Sequence, residues 1–517
     1  MHVVWFKRDL RIDDHAPLEQ AAASGSEVLC LYAYEPEILQ SAEFDPSHLE
    51  FINQSLAELD ESLQKLGARM TYRVGSMPEL LAQLHSERHI EAIWSHEETG
   101  DRVTYDRDLR VAAWADQQKI AWNEIPQNGV VRRLKSRDGW SKQRNIFMAQ
   151  PLAQTPRVIR RATAIAAGKI QSAKDLGLKE TTKTNLQIGG EKAATETLCS
   201  FLDARGENYS TEMSSPVTAS NSCSRLSTYL AWGCISMKRI VHALRERQAE
   251  LRERKAAGEP IGTWLKSLRA YDARLSWHCH FMQKLEDEPS IEFQNMSRIY
   301  DGLREDEFSQ SRFDAWCHGQ TGYPMVDACM RALLQHSWIN FRMRAMLVSF
   351  ASYHLWLHWR PTAMFLAQHF LDYEPGIHFS QFQMQSGTTG INTIRIYSPI
   401  KQVKDQDPSG LFIRRFIPEL AGVPDKYLAE PHKMSHSEQS QAGCLINKDY
   451  PAPIVEHAAA YKEAKARIYE IRGQRAAREE AAKVVRKHGS RKKSNDRNPK
   501  SRSPKKPKYK QGTLDLE

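Results

Sequence analysis

Three features of this 517-residue sequence could do chemistry. In SCSRLSTYLAWGCIS, residues 222–236, the hydroxyls of Ser224 and Ser227 flank the guanidinium of Arg225 just ahead of a helical pattern. Hydroxyl, guanidinium and backbone N–H donors at a helix start can hold a phosphate, because the helix dipole favours an anion there. Taken alone, the segment is more simply a helix N-cap. His354 and His358 stand four residues apart and could face one metal ion, but no third ligand accompanies them, and a packed helical pair is the simpler reading. Tryptophan is plentiful: bulk packing accounts for most of it, and stacking or redox work is the sharper use.

The elements that must position these groups fall into two kinds. Short apolar runs at 2–6, 27–34, 69–74, 91–95 and 120–125 alternate with amphipathic stretches such as 46–66 and 104–118. This alternation predicts a doubly wound parallel sheet, whose ligands bind at strand C-terminal ends. No G-x-G-x-x-G or Walker A sequence is present, so a standard dinucleotide or phosphate loop is not expected. Beyond about residue 190 apolar residues recur at three and four spacing, as in 240–251, 264–275, 325–335 and 342–355. The expected plan is α/β followed by all-α: an α/β domain over 1–128, a connector over 129–195, a helical domain over 196–431, a helical extension over 432–482 and a basic disordered tail over 483–517.

The net charge of +9 belongs to the tail. Thirteen basic residues and one acid lie between Lys483 and Lys510, leaving 59 basic against 62 acidic residues elsewhere. Such a tail favours a polyanion through counterion release, without reading sequence. The eight cysteines are scattered with no C-x-x-C pair, which argues against a zinc ribbon or clustered iron–sulfur site and suits a reducing cytosol. Lys7 interrupts the N-terminus too early for a signal peptide, and no apolar run is long enough for a membrane span. A cytoplasmic monomer with no membrane partner is expected.

Several blocks resemble the DNA photolyase and cryptochrome superfamily. They are VVWFKRDLRIDDHAPL at the start, the 222–236 segment, FDAWCHGQTGYPMVDACMRAL, SWINFRMRAMLVSF, FLDYEPG and RIYSPIKQ, in the family's order and spacing over about residues 1–431. The resemblance implies a helical domain that binds FAD, with phosphate contacts from Cys223, Ser224, Arg225, Leu226 and Ser227. It implies further contacts from Tyr209, Trp338, Arg344, Asp372, Tyr373 and Glu374. A second, antenna chromophore of folate or flavin type is left open, since the family's folate contacts are not found around Glu43 or residues 96–100. The implied partner is damaged DNA, double- or single-stranded. Trp277 matches the tryptophan that stacks on the flipped-out lesion, Arg342 and Gln402 match DNA-facing positions, and Lys404 suits a phosphate contact.

The substrate shell departs from the family. Arg274 stands in place of the Glu that contacts a cyclobutane dimer, His278 in place of an Arg, Phe341 in place of an Asn and Met384 in place of a Trp. The catalytic His of six-four enzymes falls on Asn340. His378 occupies the position that faces flavin N5, where an imidazole could donate a proton and titrate near neutral pH. In the electron-supply chain, Trp359 keeps the middle position, while Phe382 and Asp306 replace the other two tryptophans. The expectation is slow photoreduction, or another route through Trp356 or Tyr373, with Trp338 and Trp316 as further aromatic candidates. Light-driven repair of pyrimidine photoproducts leads, assigned to Trp277, His378, Trp359 and Trp338. A blue-light receptor without repair comes second, and a nucleic-acid-binding flavoprotein third.

Overall fold

Five short apolar runs form five strands: β1 (His2–Phe6), β2 (Val28–Tyr34), β3 (Met70–Val74), β4 (Ala92–His96) and β5 (Ala121–Ile125). Each begins or ends within about a residue of its apolar run; the inner strands β1 and β2 are apolar nearly throughout because both faces are covered, whereas the edge strand β5 has no buried residue. The computed structural model describes residues 1–489. All neighbouring strands pair in parallel, in the order β3-β2-β1-β4-β5. Helices α1 (Ala16–Ala23), α2 (Pro46–Lys65), α3 (Met77–Glu87) and α4 (Arg102–Gln118) make the crossovers. The strand order reverses between β1 and β4, which opens a crevice at their C-terminal ends.

The connector runs over the first domain. The Val28 N–H at the start of β2 donates to the Arg160 carbonyl (2.7 Å). The helical domain follows with the short α5 (Ser227–Ala231), then α6 (Met237–Ala256), α7 (Trp264–Asp287), α8 (Pro324–His336), α9 (Phe341–Ser349), α10 (Trp359–His369), α11 (Pro375–Ser386) and α12 (Pro399–Gln406). Proline opens α8, α11 and α12, where its missing N–H costs nothing and its fixed φ suits the first turn. Two further helices, α13 (His457–Gly473) and α14 (Arg475–His488), pack at the C-terminal end. The helical extension was expected to stop at residue 482, but α14 continues through His488. It buries Ala477 and Val484, and His488 pairs with Glu288. The rest of the expected tail, from residue 490, lies outside the described residues.

One core cluster crosses the domain boundary, joining Val4 and Phe6 of β1 to Trp232, Leu268 and Leu371. The two units are therefore docked through apolar packing. The docking point needs a glycine. Gly233 has φ +67°, and a Cβ there would lie 2.1 Å from the Arg8 carbonyl. The Arg-Asp-Leu-Arg turn settles on this backbone: the Leu10 N–H donates to the Trp232 carbonyl (3.3 Å), and Arg11 Nη1 donates to the Gly233 carbonyl (2.9 Å). Gly376 plays a similar part inside the helical domain, where a Cβ would come 2.7 Å from the Cα of Met282, so α11 crosses directly on α7. Among the described residues no helix is long and apolar enough to cross a membrane, and no disulfide forms.

Candidate functional site

The phosphate-type segment is a backbone turn held from outside. Arg205 donates from Nη1 to the carbonyls of Asn221 (2.6 Å) and Cys223 (2.7 Å), and from Nη2 to that of Ser224 (3.2 Å). Arg225 takes a left-handed conformation (φ +62°), and its carbonyl accepts from Gln187 Nε2 at 2.8 Å. Gln187 also accepts from Thr228 Oγ1 (3.0 Å). Sequence reasoning missed Arg205 and Gln187: neither belongs to a spaced motif, and Gln187 sits in the non-periodic connector.

This turn aims Arg225 inward. Its guanidinium stacks on Trp338 at 3.7 Å and has no hydrogen-bonded or ion-paired partner among the described residues. Burial draws its pKa down to about 10, against the pull of Asp372. Next to it, Arg344 grips Asp372 through two parallel bonds, Nη1 to Oδ1 (2.9 Å) and Nη2 to Oδ2 (2.8 Å), and fixes its Nε on the Ile339 carbonyl (2.8 Å). Burial alone would raise the Asp372 carboxyl. Arg344, Ser227 and Arg225 more than offset this and hold it below the ordinary range. The turn that carries Asp372 is positioned by the docking turn: Arg8 Nη1 donates to the Tyr373 carbonyl (3.1 Å), and Trp232 Nε1 donates to the Leu371 carbonyl (2.8 Å).

Four arginines, Arg205, Arg225, Arg274 and Arg344, bear electrostatically on the half-buried Cys223, whose thiol desolvation pushes up to about 12. Tyr209 is buried nearby, edge-on to Phe201 (5.8 Å) and Tyr271 (5.9 Å). One buried carboxylate, Asp372, faces this group. A cationic surplus with an unfilled guanidinium is what a dianionic pyrophosphate neutralises, so the residues fit FAD.

Two site expectations change. Glu374, expected at the cofactor, and His278, expected at nucleic acid, pair with each other (Nε2–Oε2 2.8 Å). Burial disfavours the imidazolium, but Glu374 raises His278 to about 10, so the ring is charged at neutral pH. His378 differs too. Its Nε2–H donates to the Ala363 carbonyl (2.8 Å), and burial lowers its pKa to about 4. A neutral, tethered ring does not titrate near pH 7.

On the substrate side, the Arg274 guanidinium lies over Trp277 (4.3 Å) and near Phe341 (5.7 Å), so the replacements make one stacked group. Arg342 and Met384 are half-buried and Lys404 is exposed. Gln402 is only 1% exposed, because α12 turns it into the core, which removes it from a direct DNA-facing surface. The Asn340 amide donates to the carbonyls of Met213 (3.0 Å) and Ser214 (2.8 Å), a structural anchor.

Among the redox candidates, Trp359 is fully buried, donates from Nε1 to Asn295 Oδ1 (2.8 Å) and meets Phe379 at 6.4 Å. Phe382 packs on His378 at 4.5 Å, Trp316 packs on Phe365 at 5.9 Å and Asp306 is exposed. Trp356 is flanked by the guanidiniums of Arg304 (4.6 Å) and Arg467 (4.8 Å). Two adjacent cations oppose a positive hole, which weighs against Trp356 as a route.

His354 and His358 do not converge. His354 stacks on His457 (5.0 Å), and His358 faces Glu305 at 3.6 Å. A different buried cluster has metal-like spacing: Asp9 Oδ2 lies 3.0 Å from His15 Nε2 and 2.8 Å from His96 Nδ1. His15 Nδ1 accepts the Leu18 N–H (3.1 Å), so its proton sits on Nε2 and points at Asp9. Neither His15 nitrogen has a free lone pair for a metal, and the cluster instead locks the turn after β1.

The comparisons with known proteins agree with this geometry. A family model described as DNA photolyase matches residues 2–141, and one described as the FAD binding domain of DNA photolyase matches residues 271–470. A deoxyribodipyrimidine photo-lyase of Alkalihalophilus pseudofirmus is 28% identical over 500 residues, covering 90% of this chain and 97% of that protein. A cryptochrome DASH of Gloeobacter violaceus is 28% identical over 489 residues, covering 88% and 93%. The fold is shared with the crystal structure of a class III photolyase from Agrobacterium tumefaciens (TM-score 0.78, 24% identity, 92% and 98% covered). It is also shared with an archaeal photolyase from Sulfolobus tokodaii with two FAD molecules (TM-score 0.74, 21% identity, 91% and 100% covered). With the α/β half, the helical half and the order of their motifs all accounted for, the chain belongs to the DNA photolyase and cryptochrome superfamily, and its helical domain is of the FAD-binding kind.

Proposed function

We propose that this protein repairs pyrimidine photoproducts in DNA by light-driven electron transfer. The observation that supports this most is the half-exposed group of Trp277, Arg274 and Phe341 on the same domain as the arginine-rich flavin site. A flipped-out base can stack on an aromatic face, and a guanidinium beside it adds cation–π and phosphate attraction. Bound reduced FAD would supply the photoexcited electron. The residues of this chain do the rest: Arg225, Arg344 and Asp372 bind and orient, and Trp277 holds the lesion. Arg342 and Lys404 offer charge to the DNA backbone.

A second reading, a blue-light receptor that does not repair, is favoured by the pairing of His278 with Glu374, which engages one of the substrate-facing groups internally. Ultraviolet-damaged oligonucleotide incubated with reduced protein separates the two. Loss of lesions only under blue light supports repair, whereas damage binding without turnover, together with a light-dependent change of shape, supports the receptor. Trp277→Ala is expected to weaken damaged-DNA binding by about 1–3 kcal/mol, roughly 5- to 150-fold in Kd, with undamaged DNA less affected. Equal binding by both proteins in a fluorescence titration would remove Trp277 from the lesion site.

A further inference from the structure

The crevice at the strand ends closes against the helical domain to form a cavity of about 80 Å³. Tyr373 enters it from the helical side, facing Glu43 and Asp101 from the α/β side. Tyr373 is 3% exposed, and its hydroxyl has no hydrogen-bond partner among the described residues. Leaving a buried phenol unpaired costs about 1–3 kcal/mol, so its retention calls for a use.

Three carboxyl groups gather where α4 begins. Asp101 Oδ1 accepts the Thr104 N–H (3.0 Å), and Glu292 Oε2 reaches across from the helical domain to accept the Arg102 N–H (2.8 Å). The helix start favours their negative charge. Burial, then Asp101 and Glu43, nevertheless push Glu292 up to about 7, so the cluster can take up and release a proton near neutral pH. Glu43, Asp101 and Glu292 also act electrostatically on the Tyr373 phenol. Cations face this region as well: Arg8 at 6.0 Å from the Tyr373 ring, Arg360, which donates to the Glu292 carbonyl (3.3 Å), and Lys7 and Arg107 on the cavity wall. On its other side the Tyr373 ring meets His378 at 5.2 Å and Phe379 at 6.4 Å.

We propose that Tyr373 supplies the electron that reduces the light-excited oxidised flavin, in place of the tryptophan replaced by Phe382, and that its phenolic proton passes through water in the cavity to the Glu43–Asp101–Glu292 cluster. The proposal rests on the FAD-dependent reading above. The balance is one electron to the flavin and one proton to a carboxylate: the phenolic O–H bond breaks, a carboxyl O–H bond forms, and a neutral tyrosyl radical remains. An external thiol then returns an electron to the radical while the carboxyl returns its proton; the thiol's own proton goes to water, and two of the thiyl radicals so formed couple to a disulfide. Arg8 above the ring explains why the proton must leave, since a guanidinium opposes a charged radical far more than a neutral one. His378 is the poorer acceptor: its Nδ1 lone pair is open, but burial lowers the ring to about 4, whereas Glu292 is raised to about 7.

The test uses the full-length, flavin-loaded protein with its flavin oxidised, illuminated in the presence of thiol. The expected result is a tyrosyl radical signal by electron paramagnetic resonance, altered by ring-deuterated tyrosine and absent from Tyr373→Phe. Photoreduction in Tyr373→Phe should slow by about tenfold or more at matched flavin content, and wild type should be slower in heavy water. Glu292→Gln should slow it as well. In the dark, that variant should also lack a carboxyl infrared band that titrates near pH 7 in wild type. A Tyr373→Phe protein that photoreduces at the wild-type rate, or a radical on tryptophan alone, overturns the proposal. Failure of the protein to hold flavin at all would instead overturn the reading beneath it, along with this proposal.

Discussion

Asp372→Ala should give a protein that loses its flavin on gel filtration and unfolds with about 3 kcal/mol less stability. Breaking a buried ion pair by removing one partner costs about 3–5 kcal/mol, because the other charge is left desolvated. Arg344 keeps some solvent contact, with 24% of its side chain exposed against 2% for Asp372, which argues for the lower end of that range. The effect on flavin should exceed the effect on folding. Without Asp372, Arg225 and Arg344 repel each other with no carboxylate to offset them, and Arg344 keeps its Nε bond to Ile339 and its stacking on Phe370 at 4.0 Å. Asp372→Asn should be milder, since an amide can still accept one of the two guanidinium bonds. Flavin per chain, measured by absorbance after desalting, and denaturant unfolding check both statements. Full flavin retention in the alanine variant would displace the pair from the cofactor site.

The second large effect is acid sensitivity. His48, His96, His280, His354, His369 and His378 are buried or nearly so, and burial lowers all six, to about 3, 3, 2, 3, 4 and 4. Their ordinary value is near 6.5. A depressed folded pKa means the unfolded chain binds the proton first. The stability these rings contribute is therefore complete above pH 6.5 and is lost as the pH falls from there towards 4 and below. Each such group can steepen the fall by about 1.4 kcal/mol per pH unit. Other groups run the other way: His278, Glu292, and further carboxyls that burial raises, among them Glu35, Glu43, Glu97, Glu191, Glu286 and Asp327. His278, raised to about 10, stabilises below its ordinary value and loses its contribution as pH rises through 10. Glu292, raised to about 7, contributes below pH 4.5 and loses its contribution as pH rises through 7. The six histidines lie far below their ordinary value and begin to take up protons in the unfolded chain at pH 6.5, so the melting temperature should drop between pH 6.5 and 4.5. A flat profile over that interval would mean that the histidines protonate within the native state.

Much of the architecture could be read from the sequence because its signals are local. The five strands are local apolar runs, and proline marks the starts of α8, α11 and α12. The candidate flavin site was reached by resemblance: Ser224–Ser227 alone suggest no more than a helix start, and Arg344 and Asp372 entered through the family blocks that carry them. What could not be read were pairings between distant segments. Nothing near His278 announces Glu374, and nothing near His354 announces His457. The connector offered no periodicity, yet Gln187 fixes the Arg225 turn, and Lys183 pairs with Asp45 at 3.0 Å. Gln402 showed the limit of position matching, since a residue type can be kept while the helix carrying it turns that side chain inward. The end of α14 was misplaced because charge density suggested a tail, whereas Ala477, Val484 and the His488–Glu288 pair hold the helix down.

The turn after β1 has a consequence for how the molecule can be divided. Arg8 holds the carbonyl of Tyr373, the residue next to Asp372, and Gly233 admits the backbone of Arg8 and Asp9 only because it lacks a side chain. The first ten residues are thus part of the wall of a cofactor site built some 360 residues later. The α/β half is not an accessory module that could be exchanged for another domain while the helical half carries on unchanged. Any graft or truncation that omits this turn frees the Asp372 segment from one side, so the natural unit of inheritance and of engineering is the pair of domains together.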